Sequence, residues 1–460
     1  MVELIPWAEA ALALAALLLV GRIGGWWLGL RAWGIPDALL AGALGLLLGP
    51  AGPRPLLPAA VIDIWNGVPL VLLTLVFAVL LLAKPLPDVG ALWRPVVSQT
   101  LLALTLAFGQ FLVGGLAVLF LLQPFQGAHP LMALLLEVSF EGGHGSAAAM
   151  GPSYASLGFP AGQSLGLALA TVGLLLSTTL GGGLVLLGQR LGWANSSEAT
   201  VQKPPSNQIN GGSTPTGGEL LDWARQWLVS LALAGLAVLL AVAALAGMRQ
   251  LAVLITGSPN PVLESLPVFP LALVGSLLVR QLLDRSGRSQ LASAEVMGLI
   301  GALSADLLIT AATACLDLPL LRSNWVALLV LASAGTIWNL LVVVLLGPRI
   351  LPADWFERAV IEFGQATGVV ASGLLLLRMA DPSDRSSALQ PFSLKQLLLQ
   401  PFLAGGLITV LAPLAVTRWG LTNWTLLSLA LTLLWICLGV LVGRSGDRPS
   451  ANAQLPSAGL

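Results

Sequence analysis

Residues 137–152 read Glu-Val-Ser-Phe-Glu-Gly-Gly-His-Gly-Ser-Ala-Ala-Ala-Met-Gly-Pro and follow directly on the apolar run 131–136. Glu141, Gly142, Gly143, His144 and Gly145 are poor residues for the middle of a transmembrane helix. Glycine costs about 1 kcal/mol per site relative to alanine in a helix interior, and a charge at the bilayer centre costs about 3 kcal/mol or more. Irregular backbone at membrane depth persists only where protein buries it or a water-filled cavity meets it. In a chain built for lipid, this stretch reads as a broken or re-entrant hairpin lining a polar site.

The rest of the chain is built for lipid. Of 460 residues, 57% are hydrophobic and only 9% are charged, which excludes a soluble globular domain. The formal net charge is zero, which argues against a nucleic-acid partner. Cys315 and Cys437 each sit in an apolar run, so neither a disulfide framework nor a transition-metal site follows from them. Glu3 and Glu9 stand where a secretory signal peptide would carry basic residues. The expected class is an all-α polytopic membrane protein, with the bilayer as its first partner.

A span needs roughly 17–25 apolar residues. In the first half the expected spans are 8–28, 36–49 (short), 65–83, 96–122 and 163–188, with the hairpin at about 130–158 between the last two. Residues 190–222 are rich in Asn, Ser, Pro, Gly and Thr and read as a solvated linker. Spans then follow at 223–246, 268–283 (short), 291–316, 325–346 and 394–419, with a second odd stretch at 356–377 and an extra span at 424–442. The chain thus divides into a first repeat 1–189, the linker, a second repeat 223–420, an extra helix 421–443 and a polar, disordered tail 444–460. In each half the second span is short and opens at a proline, Pro36 or Pro270, and the interrupted segment lies between the fourth and fifth spans. Corresponding interrupted segments in two halves point to a transporter's binding site.

Charge supplies the topology. With Met1 outside and both odd stretches returning to the side they leave, the cytoplasmic loops collect Arg31, Lys84, Arg94, Arg190, Lys203, Arg225, Arg280, Arg285, Arg288, Arg349, Arg358, Arg378, Arg385, Lys395, Arg444 and Arg448. The outer loops receive only Arg54, Arg249, Arg322 and Arg418. That bias is the positive-inside pattern. A full crossing at 130–158 would send several of these cations outside, so the re-entrant reading is preferred. Each half then crosses five times and the second is inverted relative to the first. The linker and the tail fall on the cytoplasmic side of a cell (inner) membrane. Trp7, Trp26, Trp27, Trp33, Trp65, Trp93, Trp193, Trp223, Trp325 and Trp424 mostly mark span ends, as an interfacial belt would.

The first arm, 131–140, amounts to roughly 15 Å of helix, half the hydrocarbon thickness. Its last carbonyls suit a cation, and the half-helix opening at Ser146 suits a carboxylate. Gly151-Pro152 should interrupt the return arm.

The segment Phe140-Glu-Gly-Gly-His-Gly-Ser-Ala-Ala-Ala-Met-Gly-Pro152, with Ala170-Thr-Val-Gly-Leu174 and the glycines at 181–183, resembles the first-half signature of the bacterial sodium/glutamate symporters. The resemblance implies two inverted five-span repeats with opposed hairpins, Na+ as coupling ion, L-glutamate or a similar small carboxylate as substrate, and no other cofactor. The second half departs from the family pattern: it reads Glu362-Phe-Gly-Gln-Ala-Thr-Gly-Val-Val-Ala-Ser-Gly373, and an extra span follows. A homodimer stays open.

On these grounds the candidate substrate contacts are Gly142, Gly143, His144, Gly145 and Ser146 with Gly364, Gln365, Thr367 and Gly368. The candidate coupling-ion groups are Ser139, Glu141, Ser146, Asp306, Thr367 and Ser372. Each has a structural alternative. His144 can simply cap a half-helix, Glu141 can be a paired structural group, and hydroxyls in spans commonly join helices. Arg378 reads as an interface anchor for Asp381 or Asp384, with a substrate carboxylate as the alternative. The second function class is an intramembrane enzyme using Glu141 and His144 as acid and base. No His-Glu-x-x-His or Gly-x-Gly-Asp pattern supports it, and no ATP-binding loop supports a primary pump. The expected protein is a secondary transporter and not an enzyme.

Overall fold

The computed structural model describes residues 5–30, 35–50, 52–53, 55–82, 93–194, 217–258, 263, 266–351, 354–383 and 385–446. Most of the linker at 195–216, and the tail from 447, lie outside them. Among the described residues the architecture is all-α, without strands, and eight helices are long and apolar enough to cross a membrane. Outward rows such as Leu228, Leu239 and Leu254, or Leu426, Leu433 and Leu441, are exposed, as the lipid-facing side of a multi-pass membrane protein requires.

The first half runs α1 (Ile5–Trp27), α2 (Asp37–Leu48), α3 (Ala59–Leu80) and α4 (Trp93–Ala117). A π turn, Val118–Leu122, extends α4 to Gln126. Next come a 3-10 turn at Pro130–Leu134, then α5 (Leu135–Phe140), α6 (Gly143–Ala149), α7 (Gly151–Ser156) and the long α8 (Gly162–Arg190). The second half runs α9 (Gly217–Thr256), α10 (Phe269–Arg285), α11 (Ala294–Ala314) and α12 (Trp325–Leu341), the last extended by a π turn at Val342–Leu346. It continues with α13 (Trp355–Thr367), α14 (Val370–Ala380), α15 (Leu389–Leu399) and α16 (Leu407–Trp419), and closes on α17 (Leu421–Gly446). Both π turns end two residues before a proline, Pro124 or Pro348. Proline has no N–H to give and crowds the preceding turn, and a wider turn relieves both.

Two groups of helices form. In one, α2 lies against α11, α10 lies against α3, and α3 and α11 lie against each other. The second helix of each half therefore packs on the third helix of the other. Lipid tails are as apolar as leucine, so small residues that let backbones approach hold such contacts. A Cβ on Gly21 would stand 2.6 Å from Cβ of Ala41, and one on Gly45 would stand 2.8 Å from Cβ of Ala314. In the other group α8 touches α5, α6, α13 and α14, while α4 crosses α12 and is flanked by α15 and α17.

Both odd stretches close on themselves. At the ends of the first, the His129 and Phe159 rings stack 4.9 Å apart. At the ends of the second, Asp354 Oδ2 accepts from Ser387 N at 2.9 Å and Ser387 Oγ at 2.8 Å.

Four expectations change. The last span of the second half is not one helix: residues 400–406 break it between α15 and α16. The return arm of the first hairpin begins at Gly143, not Ser146, and is interrupted at Met150 beside Gly151-Pro152. Trp65 is no interfacial marker, being fully buried with Nε1 donating to Ala10 O at 3.0 Å. Arg358 and Lys395 are buried side chains, not loop charges.

Candidate functional site

The two hairpin turns meet. Gly143 has φ +66°, a conformation that only glycine adopts freely, and a Cβ there would stand 3.0 Å from Val369 Cγ1 and 3.7 Å from Gly368 O. Gln365 Nε2 donates to Glu141 Oε1 at 3.2 Å. Gly368 lies against Ser177 of α8, and Gly173 of α8 lies against the carbonyl of Thr367. The sequence therefore folds locally as two short helical arms ending in glycine turns, with α8 as a common wall.

Polar side chains on the crossing helices hold the second turn in place. α4 and α12 come together where Gly109 faces the Trp338 ring, and each carries a carboxamide next to that contact. Gln110 Nε2 donates to Ala366 O at 2.6 Å and to Asn339 Oδ1 at 3.2 Å. Asn339 Nδ2 donates to Ala366 O at 2.9 Å and to Thr367 Oγ1 at 3.0 Å. Both carboxamides thus answer one carbonyl left open where α13 ends, Ala366 O, as a dry interior requires. Asn339→Leu should lower stability by about 1–3 kcal/mol, the usual effect of stranding buried polar groups. Thermal unfolding in detergent measures it, and an unchanged midpoint would remove Asn339 from this role.

The first turn is tied to the break in the second-half helix. Pro401 with Gly405-Gly406 ends α15, and Ala404 takes φ +56° and Gly405 φ +95°. A non-glycine residue in the left-handed region persists only where its surroundings hold it there. Here the first hairpin does so from both sides. Glu137 Oε1 accepts from Ala404 N at 3.2 Å and from Thr409 Oγ1 at 2.9 Å, and Ser146 Oγ donates to Ala404 O at 3.1 Å. Glu137 Oε2, Ser139 Oγ and Tyr154 OH are buried without a hydrogen-bond partner among the described residues.

Behind the second turn runs a buried ionic chain. Lys395 Nζ is 2.8 Å from Glu362 Oε2, each side chain 1% exposed. Lys395 also donates to Gln365 Oε1 at 3.0 Å, the amide whose nitrogen reaches Glu141. Gln99 Nε2 donates to Glu362 Oε1 at 2.8 Å, and Arg358 Nε donates to Gln99 Oε1 at 2.9 Å.

The expected site residues fall into three sets. Gly143, Gln365, Thr367 and Gly368 lie at the meeting of the turns, with Glu141 joined through Gln365. His144 Nε2 lies 3.0 Å from Thr171 Oγ1. Thr171 Oγ1 in turn donates to Leu167 O at 3.0 Å, and His144 Nδ1 is buried without a hydrogen-bond partner among the described residues. Ser372 Oγ is buried one turn behind Gly368, without a hydrogen-bond partner among the described residues. Gly142, Gly145 and Gly364 serve packing. Gly142 backs on Ser146, a Cβ on Gly145 would stand 2.8 Å from Leu73 Cδ1 and 3.4 Å from Leu308 Cδ1, and Gly364 faces the Gly373 backbone. Asp306 stands apart, paired with Arg22 of α1 at 2.8 Å.

A cleft of about 330 Å³ separates the start of α2 at Ile35-Pro36 from the return arm of the second hairpin, running from Val369 past Ser372 to Arg378. Asp381, expected to pair with Arg378, instead accepts from Arg385 N at 3.1 Å and Ser386 N at 2.7 Å. Asp384 lies outside the described residues. Glu137, Gln110, Asn339, Lys395, Ala404 and Thr409 were not foreseen as part of this site. Neither a family model nor a curated protein matches the chain.

Proposed function

We propose that the protein is a secondary carrier: a sodium-coupled symporter importing L-glutamate or a similar small carboxylate by alternating access around two opposed re-entrant hairpins. The observation that carries this reading is the meeting of two glycine turns, one from each half, Gly143 against Gly368-Val369. The reciprocal packing of α2 on α11 and α10 on α3 supports two inverted repeats. The closed ends of both hairpins support their return to the side they leave. The N-terminus is then outside, and the linker and tail are cytoplasmic.

Half-helix ends at mid-depth offer open carbonyls to a cation and N–H groups to an anion. Thr367, Ser139 and Ser372 supply neutral oxygens beside those ends. A proton-coupled carrier of another small carboxylate is the second reading, favoured by the buried carboxyl groups of Glu137 and Glu141. Uptake into proteoliposomes, with sodium and proton gradients imposed separately against a panel of carboxylates, tests both. Uptake that ignores sodium but follows the pH gradient rejects sodium coupling.

Residue-level outcomes follow from the placement. Thr367→Val removes an oxygen at the turn and should raise the sodium concentration for half-maximal uptake several-fold. Asp306→Asn, in the Arg22 pair away from the turns, should leave that concentration unchanged. The reverse pattern would move the coupling site to α11.

A further inference from the structure

Each hairpin carries a glutamate six residues before its turn glycine, Glu137 before Gly143 and Glu362 before Gly368. Both are fully buried, and both meet the broken helix α15–α16. They are answered differently. Glu137 receives only neutral donors, Thr409 Oγ1 and Ala404 N, both on Oε1, and its Oε2 has no partner among the described residues. Glu362 has both oxygens engaged, Oε1 by Gln99 at 2.8 Å and Oε2 by the Lys395 ammonium at 2.8 Å.

The surroundings of Lys395 Nζ are those of a cation site. Three oxygens face it: Glu362 Oε2 at 2.8 Å, Gln365 Oε1 at 3.0 Å and Gln396 Oε1 at 3.2 Å. The face of Phe392 closes the fourth side at 4.6 Å from the ring centroid. An ammonium has three protons to give, and each finds an acceptor. The other charged groups reach this cage only through amides, Glu141 through Gln365 and Arg358 through Gln99.

We propose that Lys395 is a tethered cation, permanently occupying at Glu362 the place that a mobile cation takes at an otherwise equivalent buried carboxylate, so that transport needs one cation fewer. The consequence for transport rests on the carrier reading given above. The occupancy of the cage does not.

The test removes the tether and asks whether sodium replaces it. Lys395→Ala deletes the ammonium and leaves space beside three oxygens, whereas Lys395→Met deletes the charge but fills the space. Thermal unfolding of the purified full-length chain is followed in detergent, with NaCl exchanged for choline chloride at constant ionic strength. Lys395→Ala should gain a sodium-dependent rise in midpoint beyond the wild type's, since a ligand that binds only the folded state raises stability by mass action. Lys395→Met, and the double variant Lys395→Ala with Glu362→Gln, should not. In proteoliposomes the Hill slope of uptake against sodium should rise by about one for Lys395→Ala. Wild-type sodium dependence in Lys395→Ala, or a gain that survives Glu362→Gln, overturns the proposal. If Lys395→Ala does not fold, the isosteric pair Lys395→Met with Glu362→Gln decides: an unchanged sodium slope supports the tether and an altered slope rejects it. Should the wild type carry no carboxylate, the carrier reading fails while the thermal measurement still judges Lys395.

Discussion

Gly143→Val should abolish carboxylate uptake while leaving the protein inserted and folded. The residue sits at φ +66° in the turn of the first hairpin, where a branched side chain is strained. The added Cβ would stand 3.0 Å from Val369 Cγ1, and the two further methyls would fill the meeting point of the turns. The effect is therefore on the site itself: the hairpins are driven apart and the backbone groups between them are covered. His144→Ala removes a ring held by Thr171 but no backbone group, and should reduce uptake by less than the valine does. An enzyme with His144 as general base would give the opposite order, since loss of such a base costs about 10²–10⁴-fold in rate. Initial uptake rates, normalised to folded protein in the membrane, decide between these orders.

Glu362→Leu should give a large loss of stability. It leaves the Lys395 ammonium in a dry cage with two amide oxygens and no counter-charge, and breaking a buried ion pair from one side costs about 3–5 kcal/mol. Gln99 would also lose its acceptor at Glu362, although it keeps the Arg358 carbonyl at 3.0 Å. Replacing both partners with apolar residues of similar size, Glu362→Leu with Lys395→Met, should recover most of that loss, because neither charge then has to be desolvated. Thermal unfolding in detergent of the single and double variants measures both. A single variant as stable as the wild type would mean that water reaches Lys395 and that the pair is not buried in the membrane.

The order of the apolar helices and the two glycine turns are legible in the sequence because length of apolar run and clustered glycine are local signals. The short second helices appear within two residues of expectation, as Asp37–Leu48 and Phe269–Arg285. What failed depended on partners distant in the chain. Lys395 and Arg358 lie near span ends and read as loop charges, yet Arg358 bonds Gln99 from 259 positions away. Asp306 reads as a coupling group by the scarcity of carboxylates in spans; its pairing with Arg22, 284 positions away, comes only from the fold. The break at 400–406 did have a local signal, Pro401 with Gly405-Gly406. Proline and glycine are common in transmembrane helices and the run 394–419 is long enough to span, so that signal does not by itself imply a break. Glu137 was eclipsed by the glycine cluster that follows it; only the fold brings Ala404 and Thr409 to its side chain.

The central claim is that substrate sits where the two turns meet, and Val369 offers the most direct probe of it. Its side chain is partly exposed at the head of the cleft that runs to Arg378. The measurement is the rate of maleimide labelling of Val369→Cys in a chain whose own Cys315 and Cys437 have been replaced by serine, with and without sodium and the transported carboxylate. Substrate with sodium should slow labelling, with half-protection near the concentration that half-saturates uptake. Labelling that proceeds at the same rate under saturating substrate would place the substrate elsewhere and contradict the site described here.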